Sequence, residues 1–278
     1  MAFYGRLVAL VIVIALGGSS EATNNGQATG TPFMEMFSSK LDTKLWYIAK
    51  YDHPAEHFVT AWRRPQVALT GDKLILDLTR SRGQIEKPFV SGEVQRRGTF
   101  GYGRYEAVLQ PSSEYGVVTG FFVFTGRPFG TSHEEIDFEF LGRDTRSVYL
   151  NHFVDGKPLL KRLQYLGFDS AAAPKLYAFE WSESGIIWYA DGREIHRVRR
   201  SDVRIPRPPA KIYMNLLAGG ERHRNWAGVA PPNADGRATF FCLSYQEPGG
   251  TTAQCSDHFE TSMTEAGQPS VLKDPPAQ

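Results

Sequence analysis

The stretch Glu134–Leu141 reads EEIDFEFL, with an acid and an apolar residue in strict alternation from Glu135 to Phe140. An extended strand, whose side chains alternate faces, sorts that pattern cleanly. Ile136, Phe138 and Phe140 go to a core, and Glu135, Asp137 and Glu139 go to the opposite side. The same period of two recurs in KLILDLT (73–79), in the runs hinged at Gly101 and Gly103, and in VVTGFFVFTG, SVYLNHFVDGK, KLYAFEW, GIIWYADGREIHRV, KIYMNLLAG and ATFFCLSYQ. Asp191-Gly192 marks a tight hairpin between two of these runs. Long amphipathic helical periods are missing. Short, regularly spaced strands predict one all-β domain over residues 33–246, an antiparallel β-sandwich.

The ends read differently. Residues 1–22 hold Arg6, an apolar run too short to span a bilayer and small residues at Ser20 and Ala22, the pattern of a secretory signal peptide cut after Ala22. Secretion and no stable membrane insertion follow as expectations. Residues 23–32 read as a flexible lead-in, and residues 247–278 as a mostly disordered tail with little to bury. The formal net charge of +1, with no basic stripe, argues against a nucleic-acid partner. Cys242 and Cys255 could pair in an oxidising compartment or stay as free thiols. No Cys/His cluster has zinc spacing, and nothing in the chain asks for a metal or cofactor. Nothing asks for a second subunit either, so a monomer is expected.

Three acids in a row on one strand face repel one another, a cost that calls for a use. The Cα atoms of Glu135 and Glu139 are roughly 13 Å apart at the usual strand rise. Long side chains leaning inward can close the carboxyl groups to about 5–5.5 Å, the separation with which a retaining glycosidase pairs nucleophile and acid. Asp137 between them can hold one in place. Close negative neighbours raise the proton affinity of one member, so that one carboxylate attacks while the other donates a proton. An acidic solvated face and a calcium site are the alternatives the pattern itself leaves open.

The surrounding sequence, GTSHEEIDFEFLGRDTRSVYLNHFVDGK, resembles the catalytic region of glycoside hydrolase family 16. It is most similar to bacterial β-1,3-1,4-glucanases (lichenases) and rhizobial exopolysaccharide depolymerases. The signature E-[hydrophobic]-D-x-E stands here as EIDFE, and FGYGRYEA, LGFD, LYAFEW, IIWYADG and KIYMNLLAG follow in family order, from about Phe58 to Tyr245. The resemblance implies a concanavalin A-like jelly roll with a substrate cleft on its concave sheet. By motif position, Glu135 would be the nucleophile, Glu139 the acid and then base, and Asp137 the auxiliary acid. Asn151 and Phe153, Phe122 and Phe124, Glu93 and Gln95, His133, Asn215 and the loop residue Trp226 would line the cleft. Trp226 could stack on a sugar or pin its loop. His152, on the opposite face from Asn151, reads as a core histidine, and Trp62, Trp181 and Trp188 as packing. Three departures stand out: His133 and Leu217 where lichenases carry tryptophans, and Phe241 where they offer an Asp to calcium. A pocket with fewer rings implies a different glycan, and the rhizobial likeness points to a succinoglycan-type polymer. Hydrolysis of internal β-glycosidic bonds is the implied activity. A non-catalytic lectin and a transglycosylase are the alternatives.

Overall fold

The computed structural model describes residues 27–259 apart from positions 39, 54 and 84. Residues 1–26, which hold the expected signal peptide, and the last nineteen positions, 260–278, lie outside the described residues. Two sheets face each other. The first runs in the order Lys157–Pro158, Ser147–Val154, Glu134–Leu141, Val117–Thr125, Lys211–Ala218, Glu93–Arg96 and Trp46–Ile48, with Arg162–Tyr165 added to the edge of Ser147–Val154. The second runs Arg193–Arg199, Gly185–Ala190, Lys175–Ser182, Gly103–Gln110, Gly236–Gln246, Leu74–Arg80, Phe89–Ser91 and Thr60–Trp62. Pairing is antiparallel except between Thr60–Trp62 and Phe89–Ser91. The turn at Asp191-Gly192 has positive φ at both residues, 51° and 80°, as a two-residue hairpin requires.

The core fills the space between the sheets. Ile136, Phe138 and Phe140 of the acid strand meet Phe121, Val123, Ile212, Met214, Tyr177 and Phe179 there. Rings interlock, with Phe138 at 6.1 Å from Phe121 and Phe140 at 4.6 Å from Tyr177. Each such side chain contributes about 1.5–3 kcal/mol on burial, so the apolar half of the alternation ties the acid strand down. Trp62, Trp181 and Trp188 are packing residues, as read: each is buried and donates its indole N–H to a carbonyl, of Leu216, Pro206 and Asp137 respectively. The Trp188 bond, 3.1 Å long, supports the middle of the acid strand from beneath. His152 is buried in the same layer, with Nε2 at 3.0 Å from the Arg204 carbonyl oxygen.

Parts of both end segments make contacts with the sandwich. The lead-in is anchored by residue 29, where Thr29 and Gly30 donate backbone N–H to the Thr99 carbonyl. The segment after Gln246 is not a loose tail as far as Phe259. Cys242 and Cys255 form a disulfide, and Ser256 donates its N–H to Glu106 at 2.8 Å. Phe259, Cys255, Phe241, Met34 and Met36 close a second small cluster outside the main core. The composition of 247–259 hides this because one disulfide and one apolar residue, Phe259, do the anchoring. The irregular pairing between Phe240 and Cys242 turns Phe241 into that cluster.

Candidate active site

In an antiparallel sheet, directly paired residues share a face, so the registers trace rows across the sheet. One row reads Glu93, Asn215, Gly120, Glu139, Tyr149, Leu163. The next reads Tyr47, Gln95, Tyr213, Phe122, Asp137, Asn151. A third reads Lys211, Phe124, Glu135, Phe153, Pro158. All three lie on the face turned away from the core. The predicted sheet residues therefore assemble, from five strands, on one surface.

That surface differs from an open acidic trench. Glu135 and Asp137 are each 1 % exposed and Glu139 4 %. The reason lies in their neighbours. Phe122, Phe124, Phe153, Tyr213 and Tyr149 share the face with the acids as register neighbours, and all but Tyr149 are buried with them. The acids form the floor, while His133, Tyr149 and Trp226 are only partly buried.

Burial dominates the electrostatics. It pushes all three acids well above the usual carboxylate range, and mutual repulsion adds to it: Glu139 on Glu135, Glu135 on Asp137, and Asp137 on Glu139. A hydrogen bond between Asp137 and Glu135 separates them, since it lowers Glu135 and raises Asp137. Of the three acids, only Glu135 receives a lowering contribution from a neighbouring side chain, and Asp137 supplies it. Asp137 Oδ2 and Glu139 Oε1 are buried and find no partner within the protein among the described residues. Buried polar atoms are normally paired, so these two are free to meet a ligand.

His133 Nε2 lies 2.6 Å from Glu135 Oε2. The imidazole is stacked on Phe153 at 4.6 Å and edge-on to Phe124 at 5.1 Å. Burial lowers its pKa to about 4, and its Nε2 shares a hydrogen bond with the Glu135 carboxyl group. The lost tryptophan position has thereby become a polar partner of the acid row.

The flanking residues are more engaged than the sequence suggests. Glu93 is completely buried and accepts from Tyr51 Oη at 2.5 Å, Gln95 Nε2 at 2.8 Å and Asn215 Nδ2 at 3.0 Å. It organises the cluster from within. Gly120 is required beside it, because a Cβ there would come within 2.6 Å of Asn215 Oδ1. Asn151 Oδ1 accepts backbone N–H from His152, Leu160 and Lys161, which ties the 155–161 loop to the floor opposite Asp137. Phe122 stacks on Tyr213 at 5.0 Å, and Phe124 joins the same cluster. Trp226 packs edge-on against Tyr149 at 6.0 Å and against His223 at 5.8 Å. Leu217 is buried against Phe58 and Ala227. Sequence reading missed Tyr51, Tyr149 and Tyr213. Tyr149 and Tyr213 follow from alternation once the registers are known, but Tyr51 sits in a loop that carries no periodic signal.

The model of the family described as glycosyl hydrolases family 16 matches residues 54–235. The chain belongs to this family. It is a glycoside hydrolase, and the lectin alternative falls away. A Bacillus licheniformis protein named β-glucanase is 35 % identical over 229 residues, covering 81 % of this chain and 91 % of that one. A β-glucanase of Bacillus subtilis is 36 % identical over 220 residues, covering 78 % and 88 %. The solved Bacillus licheniformis β-glucanase superposes with a TM-score of 0.73 at 34 % identity, over 79 % of this chain and 99 % of that one. A β-1,3-1,4-glucanase (lichenase) derived from a mouse hindgut metagenome gives 0.74 at 31 %, over 78 % and 99 %. The laminarinase catalytic domain of Thermotoga maritima, 17 % identical with a TM-score of 0.67, shares the fold. Among the described residues, no helix is long and apolar enough to cross a membrane.

Proposed function

We propose that this protein is a secreted endo-β-glycanase that hydrolyses internal bonds of a β-1,3-1,4-linked glucan with retention of configuration. The observation that carries the reading is the placement of Glu135, Asp137 and Glu139 side by side on one strand face, amid rows drawn from five strands, with Asp137 Oδ2 and Glu139 Oε1 unpartnered among the described residues. An ionised Glu135 attacks the anomeric carbon and forms an ester bond to it. The bond to the leaving oxygen breaks as Glu139 delivers its proton there. Glu139, now a carboxylate, takes a proton from water. The water oxygen attacks the same carbon and the ester bond to Glu135 breaks. Asp137 and His133 share hydrogen bonds with Glu135 throughout and hold its reactive oxygens in line. Glu93, Gln95, Asn215 and the Phe122–Tyr213 pair shape one side of the cleft, and Tyr149 and Trp226 the other.

The similarity to the β-1,3-1,4-glucanase (lichenase) from a mouse hindgut metagenome favours the mixed-linkage glucan. A substituted bacterial exopolysaccharide of the succinoglycan type is the second reading, favoured by the smaller side chains at His133 and Leu217. Export rests on the leader at residues 1–22. Incubation with mixed-linkage β-glucan, laminarin and succinoglycan, with product masses and the anomeric configuration of the first product read by NMR, decides among these. Retained β-products from the glucan are expected. Products of inverted configuration would remove the covalent step, and transfer to sugar in place of water would make the protein a transglycosylase. Glu135→Ala is expected to lower turnover by at least about 10⁴-fold while glucan binding survives.

A further inference from the structure

The row of side chains that contains Glu139 does not stop at Tyr149. Its next member, across the edge strand Arg162–Tyr165, is Leu163. Leu163 is 54 % exposed and Tyr165, two residues on and therefore on the same face, is 59 % exposed. The other face of this strand is satisfied within itself: Arg162 Nε donates to Gln164 Oε1 at 2.8 Å. Arg146 Nη2 donates to the Tyr165 hydroxyl at 3.3 Å, and its guanidinium lies 5.9 Å from the ring centroid. Inward of Leu163, Tyr149 carries Trp226, whose indole Nε1 finds no partner among the described residues. An apolar shelf with a ring beside a guanidinium and a spare N–H donor thus continues directly from the acid floor. Leu163 stands two strand spacings, roughly 10 Å, from Glu139. That span is of the order of two pyranose units.

We infer that Tyr149, Trp226, Leu163 and Tyr165 form a stacking platform for sugar units lying beyond the cleaved bond on the Ser147–Val154 side of the acid strand. The occupant is the same β-glucan chain that the acids cut. Continuity of the row from Glu139, a ring beside a guanidinium and an apolar strip beside polar tips suit the face of a pyranose ring with its hydroxyl fringe. The inference rests on the proposed glucan substrate.

The test is kcat/KM over a series of mixed-linkage oligosaccharides of increasing length, for the wild-type chain, Tyr165→Ala and Tyr165→Phe. Tyr165 is exposed, so truncation leaves the core intact. For Tyr165→Ala a drop of about five- to tenfold is expected on long substrates, the scale of one aromatic contact. The shortest cleaved substrate should show no drop, and Tyr165→Phe should keep the long-chain rate because the ring does the stacking. Equal rates at every length, or equal losses at every length, overturn the platform. A separate arm is mobility in a gel containing soluble mixed-linkage glucan, which needs no turnover. Were the wild type to cleave no glucan, the functional reading would fail, yet retardation of the wild type and not of Tyr165→Ala would still support the platform. No retardation of either overturns it. A concentration-dependent dimer abolished by Tyr165→Ala, with no effect of substrate length, would make the shelf a contact between two copies and overturn it too.

Discussion

His133 shows how much one side chain settles at the residue scale. Its ring replaces an indole as a flat surface against Phe153, and its Nε2 adds a hydrogen bond with Glu135 at 2.6 Å. Removing that partner while keeping a ring should raise the proton affinity of Glu135. For His133→Phe we expect kcat to fall on the order of tenfold, as one charge-assisted hydrogen bond is lost. The acid limb of the pH–rate profile should move to higher pH with KM little changed. A profile that keeps its acid limb would show that His133 serves packing alone. In the sequence, His133 was legible as a departure from a pattern, and its bond to Glu135 was not, because a contact between residues two apart depends on rotamers that Phe153 and Phe124 impose.

The acid strand is a working element because its two faces do opposite things. Three apolar side chains and the Trp188 N–H bond hold it to the core, and that anchorage absorbs the repulsion on the other side. The terminal segment is held differently, by one cross-link over a sequence separation of 13 residues. A loop of that size corresponds to about 3 kcal/mol of chain entropy. Replacing both cysteines by serine should therefore cost about 2–3 kcal/mol in a denaturant titration. Hydrogen exchange of residues 247–259 should rise at the same time, and an unchanged midpoint would mean that Phe259 and Ser256 suffice to hold the segment. Strand identities were readable from alternation, whereas the pairing that brings Tyr149 beside Glu139 and Leu163 beside Tyr149 was not. Register depends on which distant strands meet, and local pattern does not encode that.

For the whole molecule the acid floor is a stability cost that varies with pH. Glu135, Asp137 and Glu139 all bind protons more tightly folded than unfolded, chiefly through burial. Their contribution is fully present below the ordinary carboxyl range and is lost as pH rises through the raised folded values. Glu139→Gln, which needs no proton, should raise the melting temperature at neutral pH and above by at least about 2–4 °C, the shift that 1 kcal/mol gives in a domain of this size. The gain should vanish near pH 4, and the basic limb of the pH–rate profile should disappear with it. A melting temperature that rises equally at both pH values would place the effect in packing, not titration. By itself the sequence determined the strand menu, the one-sided sorting of acids and rings, and the chemistry three spaced carboxyls can perform, because these follow from alternation along a single chain. Tertiary structure alone decided how deep the acids sit, that Glu93 is spent on internal bonds, and that residues 247–259 are stapled down. Each of those depends on neighbours from other strands, and burial, which only the assembled sheets create, sets the size of every electrostatic effect in the site.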